Sequence, residues 1–345
     1  MRSRHVKVRV NLDQVRASAE CIRATTGVPL IAVVKADAYG LGAARVTDAL
    51  AAVADDFACF SVHEAQEVGR PGLVLGPPEG DPAYYRELNL RPSITNRGEA
   101  ERFAGVRTAI NVDTGMQRFG CAPEQLDDLL SRCHADEVFT HTDDPRAVQF
   151  LQEICRGRGA SVHGASSSLL DYPQTWLDAV RPGIALYRGA VRVSARLVAV
   201  RHTRGHIGYS AFECPWVGIL LAGYSHHLRC GPVIINGRRQ SVLEVGMNTS
   251  FVSVDPADRP GDEAVLLGDG LTEAELAQHF QTREHEILCR YTSMGVRSYE
   301  PAASEDVAAG PCPGGSDAKT PPTPTPAATD SLGTTKSTVA SLPQT

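Results

Sequence analysis

The first 190 residues alternate between strand-like and helix-like segments, and this alternation restricts the fold more than any other feature of the chain. Apolar runs of strand length recur with helix-like stretches between them, and two of these stretches, 123–133 and 145–158, carry apolar side chains at helical spacing. Strands that alternate with helices form parallel βαβ units, and eight such strands close a TIM barrel. The predicted strands are residues 30–34, 57–62, 72–76, 90–94, 108–112, 138–141, 160–164 and 179–186.

The pattern changes after residue 190, where short β-like runs separated by turns replace the alternation. This spacing predicts a second, mostly antiparallel β domain with one helix at 273–279. We therefore predict a (β/α)8 TIM-type barrel over residues 1–190 and a β domain over residues 191–300, with which the first strand, 6–12, can pack. Pro, Thr and Ala dominate residues 301–345, which predicts a disordered tail. The strands predicted for the β domain are 191–200, 216–221, 232–235, 241–245, 251–254 and 264–267.

Charge and hydropathy exclude several classes of partner. The net charge of −6 argues against nucleic acid or an anionic membrane as the main partner. The longest apolar runs, such as 217–222, are too short to span a bilayer, and the first thirty residues contain no signal-peptide pattern. We therefore expect a cytoplasmic protein that binds neither nucleic acid nor membranes.

Lys35 stands directly after the apolar run 29–34, and Tyr39 follows four residues later, beside Gly40 and Gly42. A buried amine at the end of a strand can form a Schiff base, because desolvation lowers its pKa and frees its lone pair. A tyrosine and a glycine-containing turn before a helix can hold a phosphate. Pyridoxal phosphate binds through a lysine and a phosphate tail, so we predict that this segment anchors that cofactor.

Several separated motifs resemble, in the same order, those of the alanine racemase family, which are fold-type III pyridoxal phosphate enzymes. The resemblance covers roughly residues 4–299 and is more specific than any single match. It implies the two domains described above and a homodimer whose active site is shared across the subunit interface. The motifs are VKADAYG at 34–40, NVDTGMQRFG at 111–120, TH at 140–141, HGASS at 163–167, VRPGIALY at 180–187, GYS at 208–210, GY at 223–224 and GMN at 246–248.

The resemblance implies a set of cofactor-binding residues in the barrel. Lys35 would form the Schiff base and then act as one of two proton-transfer bases. The phosphate would be held by Tyr39, Ser167 and the backbone N–H groups of Gly183 and Ile184. Hydroxyls and backbone donors at strand ends bind a dianion without a lysine, so the implied site is physically sound.

Arg181 matches the family's arginine that faces the pyridine nitrogen of the cofactor. An arginine stays protonated, so the ring nitrogen that it contacts stays unprotonated and the ring is a weaker electron sink. That favours racemisation over decarboxylation, for which a carboxylate at this position would be expected. A decarboxylase or aldolase of the same fold, and a non-catalytic protein that binds pyridoxal phosphate, are the alternatives.

The remaining implied residues concern proton transfer and substrate binding. Tyr209 matches the second base, which the family supplies from the other subunit, and His141 matches the histidine that contacts the ring arginine and supports this tyrosine. Arg118 and the backbone N–H of Met247 match groups that bind the substrate carboxylate, and Tyr224 matches a tyrosine that narrows the entrance. Two bases on opposite faces of a planar intermediate are what racemisation requires.

Several positions depart from the family pattern. The family's Arg-Val-Pro-Arg is loosened to MGVR at 294–297, and Ser293 stands where some members have a phosphate-binding tyrosine. Asn111 stands where many members have a lysine that holds the arginine, and an asparagine holds Arg118 more weakly because it carries no charge. His226 and Asn248 stand where the family has acids. We predict a racemase of L- and D-alanine or another small amino acid, and no metal site, because no tight set of metal ligands is evident.

Overall fold

The computed structural model describes residues 2–300, so the tail predicted at 301–345 lies outside the described residues. The described chain forms two eight-stranded sheets. In chain order, the strands are β1 Ser3–Asn11, β2 Ile31–Val33, β3 Asp56–Cys59, β4 Gly72–Val74, β5 Leu90–Ile94, β6 Arg107–Asn111, β7 His134–Phe139, β8 Ser161–Ala165, β9 Ala179–Val180, β10 Val191–His202, β11 Trp216–Leu220, β12 Gly231–Ile235, β13 Arg238–Val245, β14 Ser250–Ser253, β15 Glu263–Leu267 and β16 Gly295–Glu300.

The helical segments lie mainly between the strands of the first sheet. α2 differs from the others because its residues have left-handed backbone angles, as described below. The segments are α1 Leu12–Thr26, α2 Lys35–Tyr39, α3 Ala43–Leu50, α4 Val62–Val68, α5 Pro82–Glu87, α6 Arg97–Arg102, α7 Leu126–Arg132, α8 Pro145–Cys155, α9 Ile184–Tyr187, α10 Glu273–His279 and α11 Glu284–Thr292.

The first sheet is a parallel barrel in which β2 to β9 pair in sequence order. Leu30 forms a parallel bridge with Val180, and the N–H of Val33 donates to the carbonyl of Pro182 at 3.0 Å, which closes the barrel between its first and last strands. The carboxyl ends of all eight strands therefore meet at one rim. The predicted barrel is confirmed.

The second sheet is mostly antiparallel, with the strand order β11-β14-β13-β12-β15-β10-β1-β16. β1 pairs antiparallel with β10 and parallel with β16, so both ends of the described chain lie in this sheet. Val6, Val8 and Val10 are buried on one face of β1 while Lys7 is exposed, as the two-residue period of a strand requires. The predicted antiparallel sheet is confirmed.

The structure corrects three details of the predicted elements. The strand expected at 179–186 ends at Val180 because Pro182 has no N–H to donate, and α9 starts at Ile184. The strand expected at 138–141 starts earlier, at His134, which places Glu137 inside β7. The β half contains α11 in addition to the predicted helix, which is α10. Between residues 2 and 300, no helix combines the length and the apolar character needed to cross a membrane.

Candidate active site

A cavity of about 440 Å³ opens at the carboxyl ends of the barrel strands. TIM barrels carry their catalytic groups at this end. Nine of the residues singled out in the sequence line the cavity together: Lys35, Tyr39, Asn111, Arg118, His141, Ser167, Arg181, Gly183 and Ile184.

Lys35 follows β2 and the buried residue Val34, so the strand delivers its amine to the cavity. Burial lowers the pKa of Lys35, and the nearby charges of Arg118 and Arg181 lower it further. A larger fraction of the amine is therefore neutral than in a solvent-exposed lysine. A neutral amine is the nucleophilic form that attacks a carbonyl group.

The backbone after Lys35 makes a left-handed turn. Ala36, Asp37, Ala38 and Tyr39 have φ angles of +53°, +55°, +51° and +57°. This conformation costs an L-residue about 1–2 kcal/mol, because Cβ approaches the following carbonyl oxygen. Four such residues in succession are therefore unfavourable unless their surroundings hold them in place.

The turn directs the hydroxyl of Tyr39 toward Gly183. A Cβ atom built on Gly183 would lie 2.2 Å from the Tyr39 hydroxyl oxygen, so a side chain at this position would collide with it. Ser167 Oγ accepts hydrogen bonds from the N–H groups of Gly183, at 2.9 Å, and Ala185, at 3.1 Å. Burial raises the pKa of Tyr39 well above its usual range, so the phenol remains a donor. Two hydroxyls and a backbone segment thus converge in an arrangement suited to an oxyanion.

Arg181 is buried and held by two groups of the barrel. Its Nη2 donates to the Thr140 carbonyl at 2.7 Å and its Nη1 to Nδ1 of His163 at 2.8 Å. The His163 ring therefore accepts at Nδ1 and donates from Nε2, which lies 2.6 Å from Oε1 of Glu137. Burial lowers the pKa of His163, which agrees with this neutral form of the ring.

Glu137 connects this chain of contacts to a second buried arginine. Arg91 Nε donates to Oε2 of Glu137 at 2.6 Å, and Arg91 also pairs with Asp56. Burial alone would raise the pKa of Glu137, but the hydrogen bond from His163 and the charge of Arg91 outweigh it and lower the pKa to about 2. Although burial lowers the pKa of Arg181 to about 10, its guanidinium stays protonated at neutral pH.

His141 lines the cavity in an uncharged form. Burial, followed by the charges of Arg181, Arg118 and Lys35, lowers the pKa of His141 to about 3. The histidine that hydrogen-bonds Arg181 is His163, which lies in one of the sequence motifs but was given no role there. The sequence signal for a role of His163 was weak, because a single histidine at the end of a predicted strand forms no distinctive motif.

Arg118 and Asn111 also line the cavity. The Arg118 guanidinium carbon lies 5.3 Å from the centre of the Phe119 ring, and Asn111 is buried at the end of β6. Together with Arg181, Arg118 gives the cavity a cationic character. Such a cavity suits anionic groups, such as a phosphate and a carboxylate.

Helix α11 contributes a cavity residue that sequence reasoning did not identify. The ring of His285 lies 5.8 Å from that of Tyr39, centre to centre, and it lines the same cavity. Burial is the largest cause that lowers the pKa of His285. Neither a motif nor apolar periodicity marked this residue, because it lies on the first turn of an unpredicted helix.

The structure does not bring Tyr209, Tyr224 or Met247 to the cavity of the same chain. All three belong to the β domain, and their exposed fractions are 97%, 56% and 59%. The loop of Tyr209 is nevertheless fixed, because Glu244 accepts hydrogen bonds from the N–H groups of Tyr209, at 3.0 Å, and Ser210, at 2.7 Å. An exposed tyrosine on a held loop is available to another molecule.

Tyr224 and Met247 lie on two loops that are fastened together. The N–H of Tyr224 donates to the Gly246 carbonyl at 2.9 Å, and Ser225 Oγ donates to the Met247 carbonyl at 2.7 Å. His226 accepts the Gly223 N–H at Nδ1, at 3.2 Å, so a ring nitrogen provides the hydrogen-bond acceptor where the family has an acid. The departure at His226 therefore leaves this loop ordered.

The fold and the cavity define a two-domain barrel enzyme whose cavity contains a half-buried lysine and the hydroxyl groups of Tyr39 and Ser167. The sequence profile of the alanine racemase N-terminal domain matches residues 10–191, and that of the C-terminal domain matches residues 190–299. The chain therefore belongs to the alanine racemase family, which is a family of isomerases.

Individual relatives agree with this assignment. The alanine racemase of Halorhodospira halophila is 31% identical, over 84% of this chain and 96% of that protein. The biosynthetic alanine racemase of Pseudomonas aeruginosa superposes with a TM-score of 0.76 at 26% identity, over 86% of this chain and all of that chain. The alanine racemase of Bartonella henselae, solved with covalently bound pyridoxal phosphate, shares the fold with a TM-score of 0.75 at 19% identity, over 86% of this chain and all of that chain.

Proposed function

We propose that this protein is a pyridoxal phosphate-dependent racemase that interconverts the enantiomers of alanine or of another small amino acid. The observation that carries the proposal is that Lys35 and a buried, charged Arg181 share one cavity in a chain of this family. The homodimer, the amino-acid substrate and the cytoplasmic location are parts of the same proposal.

The residues in the cavity fit the cofactor. Tyr39, Ser167, Gly183 and Ile184 would hold the phosphate with hydroxyl and backbone donors, and Lys35 would link covalently to the cofactor aldehyde. Pyridoxal phosphate supplies an electron sink that makes the Cα–H bond of a bound amino acid acidic. The lowered pKa of Lys35 favours the neutral amine that this linkage and the later proton transfer both need.

Arg181 would set the strength of that electron sink. Its contacts with Thr140 and His163 fix the guanidinium in place, and Glu137 opposes the loss of its proton. A protonated arginine beside the pyridine nitrogen would disfavour protonation of that nitrogen. Arg181 would thereby limit charge delocalisation into the cofactor and side reactions such as transamination.

Two bases would move the α-proton. Lys35 would act on one face of the bound amino acid and Tyr209 of the partner subunit on the other. This division is supported by the position of Tyr209, whose fixed and exposed loop does not reach the cavity of its own chain. Arg118 and the Met247 N–H of the partner subunit would bind the substrate carboxylate, and the Tyr224 side chain of the partner subunit would narrow the entrance.

The proposal is tested with purified protein in D2O. Addition of pyridoxal phosphate should produce a visible absorption band. After reduction with borohydride, peptide mapping should find the cofactor attached to Lys35. Incubation with L-alanine should yield Cα-deuterated alanine of both enantiomers. If neither enantiomer of any small amino acid in a panel gains deuterium at Cα, the proposal of a racemase is refuted. Release of carbon dioxide would favour a decarboxylase.

A Tyr209→Phe variant with unchanged activity would refute the proposal that Tyr209 is the second base.

A further inference from the structure

The left-handed turn at residues 36–39 joins the two proposed cofactor ligands, Lys35 and Tyr39. It is partly held by local hydrogen bonds, since Gly40 N–H donates to the Ala36 carbonyl at 2.9 Å and Ala43 N–H to Asp37 Oδ1 at 2.8 Å. These bonds lie within the turn or next to it in sequence. They do not remove the steric cost that each of the four residues has at positive φ.

Three side chains from α11 and β16, at the C-terminal end of the described residues, contact this turn. Arg297 Nη1 donates to Asp37 Oδ2 at 2.5 Å and to the Gly40 carbonyl at 2.8 Å. Thr292 Oγ1 lies 3.2 Å from the Tyr39 carbonyl oxygen, and the Tyr299 hydroxyl donates to the Leu41 carbonyl at 2.9 Å. We name Thr292, Arg297 and Tyr299 the C-terminal clamp.

The clamp and the turn are in close steric contact. A Cβ atom on Gly40 would lie 2.0 Å from Thr292 Oγ1, and one on Gly42 would lie 2.0 Å from the Tyr299 hydroxyl oxygen. The turn therefore has little room to relax on this side. On the barrel side, Glu64 Oε1 accepts the Ala36 N–H at 3.0 Å, and this is a separate contact from α4.

The Arg297 side chain is 17% exposed and its partner Asp37 is 44% exposed, so the ion pair is partly shielded from water. Arg297 does not line the cavity, and it can reach the cofactor site only through the turn. A charged side chain that bridges a strained segment can hold a conformation that the local sequence would not keep.

We propose that Arg297 is a positioning residue, which acts through the C-terminal clamp to hold the left-handed turn and thereby sets the geometry of Lys35 and Tyr39. The inference rests on the proposed function, because these two residues matter as cofactor ligands. It makes cofactor affinity depend on β16, a strand of the second sheet.

The test measures the dissociation constant of pyridoxal phosphate by titrating the apo-protein and following the visible absorption band. Arg297→Met should weaken binding by about tenfold, which corresponds to about 1.4 kcal/mol. Arg192→Met is the matched control, because Arg192 has a similarly shielded side chain in the same sheet and pairs with Glu263 and Asp269. The Arg192→Met protein should bind the cofactor like the wild type.

Tyr299→Phe is a milder variant that removes one hydrogen-bond donor to the turn. It should weaken cofactor binding by a smaller factor than Arg297→Met.

A rescue distinguishes control of the turn from a general loss of stability. Ala36→Gly in the Arg297→Met background should restore most of the lost affinity, because glycine adopts positive φ without the steric cost. Ala36 is exposed, so its methyl group contributes little packing. Wild-type affinity in Arg297→Met, or a double variant no better than Arg297→Met, would overturn the inference.

A failure of the proposed function can be distinguished from a failure of the inference about Arg297. If the wild-type protein binds no pyridoxal phosphate, the cofactor assignment is refuted, and thermal unfolding then tests the clamp alone. Ala36→Gly should stabilise the Arg297→Met protein more than it stabilises the wild type. Equal effects in the two backgrounds would show that Arg297 does not act on the turn.

Discussion

Glu137 is the residue on which the charge balance of the barrel interior depends. It lies between Arg91 and the His163 ring that contacts Arg181. We expect Glu137→Gln to destabilise the protein by about 3–5 kcal/mol, because it removes the carboxylate that opposes the buried charge of Arg181 and leaves Arg91 with Asp56 alone. Denaturant unfolding measures the change. Glu101→Gln, at an exposed ion pair with Arg97, is the control and should unfold like the wild type.

The contribution of Glu137 should also depend on pH. Its pKa is about 2 in the folded protein, below the value of about 4.3 for an unfolded glutamate. The stabilisation is therefore fully present above the unfolded value and is lost as the pH falls toward 2. The stability difference between the wild type and Glu137→Gln should shrink over this window in urea unfolding at a series of pH values. A difference that stays constant down to pH 2 would contradict the assignment.

These residues also show what the sequence could reveal about the site. Lys35 could be singled out because it directly follows an apolar run in a distinctive motif. Arg181 was singled out only by the family resemblance of its motif, since the predicted strand continued past it. Glu137 was not, because the predicted strand began one residue after it. His285 was missed for a similar reason, since α11 has only a weak apolar period. A buried charge network is defined by contacts between strands, which sequence spacing does not encode.

At the scale of elements, Asp144 is the N-cap of α8, and its Oδ1 accepts the Arg146 N–H at 2.9 Å. Pro145 occupies the first helical position, where its missing N–H has no cost. We expect Asp144→Ala to reduce stability by about 1 kcal/mol through the loss of this N-cap, while Asp144→Asn should retain it. Thermal unfolding distinguishes the two. Equal destabilisation by both variants would show that the charge, and not the cap, is important.

The barrel elements were predictable because strand and helix periods alternate clearly, and most predicted strands lie within a few residues of the observed ones. The left-handed turn was not predictable, since Ala36, Asp37 and Ala38 are ordinary residues for a helix or a loop. Contacts from Thr292, Arg297 and Tyr299 override the local preference there. The end of β9 is a different case, because Pro182 is visible in the sequence and ends a strand that the prediction from the apolar run alone continued.

At the scale of the whole molecule, the described chain holds a cavity with one proposed base and, on its β domain, the second proposed base exposed and outside that cavity. A symmetric dimer would complete both cavities, because each subunit would supply its Tyr209 to the cavity of the other subunit. The sequence implied this division only through its resemblance to a family. The position of Tyr209 supports it independently.

Mixing two inactive variants tests this arrangement. Lys35→Ala and Tyr209→Phe should each abolish racemisation, because each removes one base from both sites. Dissociated and reassociated together, they should recover about one quarter of wild-type activity, since random pairing makes half of the dimers mixed and each mixed dimer keeps one intact site. If Tyr209 acted within its own chain, no active site in any dimer would contain both bases, and no activity would return. Size-exclusion chromatography of the mixture provides the control for reassociation.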